Sequence, residues 1–304
     1  MAFRVLSESK HFYYFEYKDN NDDTPIDSIK RINFTPLFGY RVFGSFNGLV
    51  CFRTGFRYDS VYICNPVTRE YVKLPKFNRD SDHSIPWTRG FGYLPLTNEY
   101  QVVEIHRLSA DLNIVEVLVY TVGGGSGWKI VGRFDIQDGK AHVEKHGVFV
   151  NGALHWVEST CGRVFVFDLT EEKFREHVSR PPRPPDSLWP EYGSIGVVGG
   201  VLYYFVKYFS QITRMHSYDI WPLKGKNDTG DMKEQVVQEP LGWREKFTFY
   251  VGKPLSFTKS SGVLYFNSRD LGIYDASAST SKELVRFSAV SQIFPHKNTL
   301  VSLK

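Results

Sequence analysis

The chain has 304 residues with 37 Lys and Arg against 33 Asp and Glu, a formal charge of +4, and its basic residues form no run, so a phosphate-tracking surface is not indicated and nucleic acid is not an expected partner. No stretch of 18 apolar residues occurs and no basic-then-apolar leader follows Met1, which argues against a helical membrane span or signal peptide and leads to the expectation of a protein of the cytoplasm or nucleus. Three cysteines, Cys51, Cys64 and Cys161, lie among apolar strand residues and read as buried thiols of a reducing compartment. The Asn-x-Thr sequons at Asn33 and Asn227 are then incidental.

In chain order, strands are expected first at His11 to Tyr17 and Ile29 to Phe34. Gly48-Leu49-Val50-Cys51-Phe52 then introduces a pattern, Gly-x-(Val or Leu)-x-aromatic, that recurs at Gly152 to Trp156, Gly200 to Tyr204 and Gly262 to Phe266. Each copy is answered downstream by an aromatic or Cys followed by Asn or Asp: Cys64-Asn65, Phe167-Asp168, Tyr218-Asp219 and Tyr274-Asp275. The alternation has the period of a half-buried strand. Each glycine, preceded by Asn47, Asn151, Gly199 or Ser261, suits the positive φ of a hairpin turn. The Asn or Asp suits an Asx turn into a further strand, such as Glu70 to Leu74 or Lys173 to Val178.

Four strands per unit is the make-up of a propeller blade. Gly152 to Gly200 spans 48 residues and Gly200 to Gly262 spans 62, close to a kelch-type period, whereas Gly48 to Gly152 spans 104 and must hold an additional, divergent unit. Gly90 to Tyr93, Tyr100 to His106, Val115 to Val122 and Trp128 to Val131 supply it. Five blades are thus expected between about Ser45 and Phe287. The end strands, with Leu300 to Leu303, are expected to form a composite sixth, because closing a ring with both termini removes exposed sheet edges. The reading is one all-β, kelch-like β-propeller over residues 1–304, with six four-stranded blades.

Ser45-Phe46-Asn47-Gly48-Leu49-Val50-Cys51, followed by Ile63-Cys64-Asn65-Pro66-Val67-Thr68-Arg69-Glu70 and Leu74-Pro75, resembles the signature of plant F-box-associated domains. Phe91-Gly92-Tyr93, Glu99 to Val103, Val119-Tyr120 and Trp128-Lys129 are similar to that family's next segment, and Gly152 to Trp156 with Phe167-Asp168-Leu169 to the one after. The resemblance implies an intracellular substrate-binding module of a cullin-type ubiquitin ligase in a plant, recruiting a target protein. Such proteins normally open with a helical F-box, and nothing like it precedes Phe3. A Skp-type adaptor and cullin are therefore expected as partners only where an F-box is supplied. The alternative is a decoy or stand-alone binding propeller, for protein or glycan.

No catalytic, metal or cofactor site is expected. His142 and His146 lack the Glu directly after the first His that the helical zinc motif needs, and on a strand they would stand about 13 Å apart, which makes them solvated strand residues. Gly123 to Gly127 matches no phosphate-binding motif and reads as a hairpin loop. Arg180 to Pro185 is a polyproline segment that reads as an inter-blade spacer. Trp128 and Trp156 fall in repeat positions and are expected in blade cores. Trp87, Trp189, Trp221 and Trp243 fall between strands, where a large ring is either wedged between blades or displayed to a partner. The candidate partner-binding set is Trp87 with Arg89, Trp189 with Tyr192, and Arg214 and Trp243.

Overall fold

The computed structural model describes residues 2–7, 12–17, 26, 29–32, 41–54, 60–77, 84–137, 142–143, 146–182, 193–212, 214–223, 242–244, 246–249, 251–258, 262–267, 269–275, 278–287, 290–296 and 299–303. Among these residues all regular structure is β. Strands β1 (Ala2–Ser7), β2 (Phe12–Glu16) and β3 (Lys30–Ile32) come first. The first blade is β4 (Arg41–Phe46), β5 (Leu49–Thr54), β6 (Ser60–Asn65) and β7 (Glu70–Lys73). The second is β8 (Ser84–Leu94), β9 (Glu99–Leu108), β10 (Asp111–Thr121) and β11 (Trp128–Asp135), and the third β12 (Val148–Val150), β13 (Ala153–Val157), β14 (Val164–Asp168) and β15 (Lys173–Phe174). The fourth is β16 (Gly193–Val198), β17 (Val201–Phe209), β18 (His216–Pro222) and β19 (Phe247–Phe249), and the fifth β20 (Lys253–Phe257), β21 (Gly262–Asn267), β22 (Asp270–Asp275) and β23 (Thr280–Arg286). Strand β24 (Val290–His296) pairs antiparallel with β1, giving a composite sheet in the order β24-β1-β2-β3.

The fold is therefore an all-β propeller with five blades of four consecutive strands each, where the sequence reading counted six. The remaining sheet is of different make, drawing one strand from the far end of the chain. Its C-terminal member is β24 and not Leu300 to Leu303, which is a correction. Residues 299–303 form no strand; they lie along the first blade, where Asn65 Nδ2 donates to the carbonyls of Thr299 (3.0 Å) and Val301 (2.8 Å).

Local chemistry accounts for most of the hairpins. Asn47 and Gly48, Asn151 and Gly152, and Gly199 and Gly200 are consecutive positive-φ pairs, the backbone of a type I′ turn whose twist matches the strands it joins. Gly262 departs from the expectation: it starts β21 and needs no positive φ, and its N–H donates to Thr258 Oγ1 at 2.9 Å. Asn65 and Asp168 make the anticipated Asx turns, accepting from Val67 N (2.9 Å) and from Thr170 N and Glu171 N (both 2.8 Å). Asp275 accepts from Ala278 N at 3.1 Å. Asp219 does not belong to this series. It sits within β18 opposite Val206, fully buried, and accepts from Lys246 Nζ and Thr248 Oγ1, both at 2.7 Å.

Each apolar cluster lies between neighbouring sheets. Leu49, Cys51 and Ile63 of the first blade meet Phe91 and Val102 of the second, while Val103 and Ile105 of the second meet Trp156 and Phe167 of the third. Phe15 and Tyr17 of the N-terminal segment meet Leu255, Leu264 and Leu271 of the fifth blade. Cys51 and Cys64 are buried as expected, but Cys161 is exposed on the turn after β13. Burial and a hydrogen bond to the Glu158 carboxylate push the Cys161 thiol up.

His155, on β13, is buried, with Nδ1 3.3 Å from the Val148 carbonyl oxygen. Burial pushes its imidazole down to about 4, against the lesser upward pull of its backbone hydrogen bonds. A histidine that stays neutral in the fold while the unfolded chain takes up a proton lowers stability as pH falls from about 6.5 toward 4. We expect this group alone to reduce the unfolding free energy by on the order of 2 kcal/mol between pH 7 and pH 5. Urea titrations across that range should show a flatter dependence for His155→Gln than for the parent. Equal slopes would refute the assignment.

Candidate functional site

The innermost strands β4, β8, β12, β16, β20 and β24 surround a cavity of about 710 Å³. The parallel bridge between Arg89 and His146 shows that β8 and the segment leading into β12 run in the same direction. The wall is largely apolar and aromatic. The His146 ring stacks on Phe43 (centroids 6.2 Å apart, planes at 25°), and Phe46 meets Phe149 edge-on at 4.8 Å. His146 is thus part of this inner wall and not the solvated residue expected from sequence. Gln292 of β24 bonds both ways to the backbone of Val42 in β4, donating to its carbonyl at 2.7 Å and accepting from its N–H at 2.8 Å, which ties the composite sheet to the first blade.

The six candidate partner-binding residues have separate fates. Trp87 and Arg89 lie in β8 and not in a loop. Trp87 occupies the register shift between Pro86 and Thr88, a β-bulge that turns the indole toward the third blade. There it meets Phe165 edge-on at 5.6 Å, under the Arg107 guanidinium 4.7 Å from the ring centre. Arg89 is nearly covered: Nε lies 2.6 Å from Glu104 Oε1, and the Arg89 carbonyl accepts from Trp156 Nε1 (3.1 Å) and Gly147 N (2.7 Å). Burial would raise the Glu104 carboxyl, but hydrogen bonding from His106 and the Arg89 charge outweigh it and hold the group below the ordinary range. Trp243 donates to the Ser179 carbonyl at 2.7 Å and packs edge-on to Tyr204 at 5.5 Å, bridging the third and fourth blades.

Arg214 is displayed. It sits at φ 57° in the turn between β17 and β18, flanked by the exposed Ile212 and Met215. Trp189 and Tyr192 lie outside the described residues, as does the Arg183 to Pro185 end of the polyproline segment. Trp87 and Trp243 therefore hold the wedge position that the sequence left open beside display, and the structure does not gather the described candidates on one patch. Trp87→Ala should destabilise the fold by about 2 kcal/mol, less than a fully buried indole because the residue keeps some solvent exposure. Thermal melts monitored by circular dichroism would check this; an unchanged melting temperature would return Trp87 to the surface. The axial cavity leaves no local mark in the sequence, since its lining comes from strands spread along the whole chain.

Comparison with known proteins then decides the family. A family profile described as the F-box associated beta propeller domain matches residues 1–186. The chain belongs to this family. Among curated relatives of this F-box associated propeller, F-box protein At3g07870 of Arabidopsis thaliana is 30% identical over 179 residues, covering 49% of this chain and 42% of that protein. F-box protein At5g49610, also of Arabidopsis thaliana, is 26% identical over 237 residues, covering 72% of this chain and 62% of that protein. The chain spans about two fifths of the length of the first such relatives (38% to 42%). Among solved structures, a chain from a nidogen/laminin complex superimposes with a TM-score of 0.50 at 11% identity, covering 98% of this chain and 99% of that one. That likeness concerns the fold alone.

Proposed function

We propose that this F-box associated propeller is the substrate-recognition part of an SCF-type cullin ubiquitin ligase, presenting a rigid ring whose inter-strand loops recruit a target protein. The observation that carries the reading is the family match together with the F-box proteins among its relatives. On this reading the chain performs no catalysis itself, works in the cytoplasm or nucleus, and engages a Skp-type adaptor and cullin through an F-box. The composite sheet serves as a sixth blade that closes the ring, supported by the Gln292 bonds to Val42 on one side and by Phe15 and Tyr17 against the fifth blade on the other. If so, Phe15→Ala should accelerate hydrogen exchange of the β1 amides, and unchanged exchange there would count against closure.

The functional test uses the chain as it stands and with an F-box fused upstream, each expressed in plant cells with the proteasome blocked. The fused form should retain the adaptor, and both forms should capture a common target that gains ubiquitin only with the fusion. Capture of the same target without any change in its ubiquitination would leave a stand-alone binding propeller as the better description.

A further inference from the structure

The axial cavity has the lining of a small-molecule site. At about 710 Å³ it falls within the size range of pockets that enclose drug-sized ligands. The partly buried Phe46, Phe149 and Phe294 line it from three of the inner strands, together with small residues such as Gly199 and Gly200. Its charge is one-sided. Among the described residues that line it none carries a carboxylate, while Lys253 supplies a positive charge and His146 and His296 two imidazoles. Lys253 is exposed at the start of β20 and makes no salt bridge with any described residue. Lys246 of the neighbouring fourth blade, by contrast, is held by Asp219.

We propose that this cavity binds a small organic anion with a flat apolar body, the body against the phenylalanine rings and the anionic group toward Lys253. An apolar wall with a few placed polar groups fixes the orientation of such a molecule, and a cation without an internal partner favours an acidic group over a neutral one. This goes beyond recruitment of a protein target and does not depend on it, because the test needs neither adaptor nor target.

The probe pair is 8-anilinonaphthalene-1-sulfonate and N-phenyl-1-naphthylamine, which share an aromatic body and differ in the anion. With the folded chain, fluorescence titration should give saturable binding of the sulfonate with one site per chain, tighter than the neutral amine by about five- to tenfold. The amine should displace the sulfonate competitively. Lys253→Ala should remove that preference and leave the amine within about twofold of its parent affinity, while Lys253→Arg restores it. Melting curves of both variants should match the parent, because Lys253 is exposed. Binding at several sites per chain, equal affinity for the two probes, or a sulfonate affinity indifferent to Lys253→Ala would each overturn the proposal.

Discussion

Trp156→Ala is expected to lower the unfolding free energy by about 3–5 kcal/mol, the range for truncating a fully buried large aromatic. The indole is 1% exposed and lies within the cluster that joins the second and third blades. It also lies so close to Gly147 that a β-carbon there would come within 2.5 Å of the ring. Neither the strand ahead of it nor the Arg89 carbonyl it bonds can move in to fill the space, since Gly147 N holds the same carbonyl. Trp156→Phe keeps part of the volume and forfeits the N–H, and should cost about half as much. Denaturant titrations of the two variants measure the difference. A loss below 1 kcal/mol for the alanine variant would mean that the blades pack without this ring.

Asn65→Ala should cost about 3 kcal/mol, because one side chain serves two segments. Its oxygen closes the turn from β6 to β7 and its amide holds the carbonyls of Thr299 and Val301, with Asn65 itself fully buried. Removing it strands both acceptors and a turn N–H, and an unmet buried polar group costs about 1–3 kcal/mol. Asn65→Asp separates the two duties. The carboxylate still accepts in the turn but faces two carbonyl oxygens, so the tail should release while the turn survives. Hydrogen exchange at Val301 and Leu303 reports the tail; faster exchange in both variants is expected, and protection retained in Asn65→Asp would contradict the clasp.

What could be read from the sequence was what local chemistry decides. The Asn-Gly and Gly-Gly pairs marked type I′ turns because few other residues adopt two successive positive φ values. The Asx turns at Asn65 and Asp168 needed only their own next residues. Asp219 misled because a buried acid inside a strand and an acid at a strand end look alike until the partner is known, and Lys246 lies well beyond it in sequence. Pro86 gives the neighbourhood of Trp87 the look of a loop; a bulge lets the proline sit in the strand without donating. The alternating apolar residues Val301 and Leu303 look like a strand and do pack on the first blade, but without strand pairing. The cavity belongs to six strands at once, and no local pattern could announce it.

The pairing of β1 with β24 also sets an order of events during synthesis. A ribosome releases the five blades one after another, each able to form from neighbouring strands as it emerges. Throughout that time β1 has β2 on one side and nothing on the other, since its second neighbour is still unmade. An edge left waiting in this way is a template for unwanted pairing with other chains. The demand on chaperones should therefore fall on β1, and last until β24 leaves the exit tunnel.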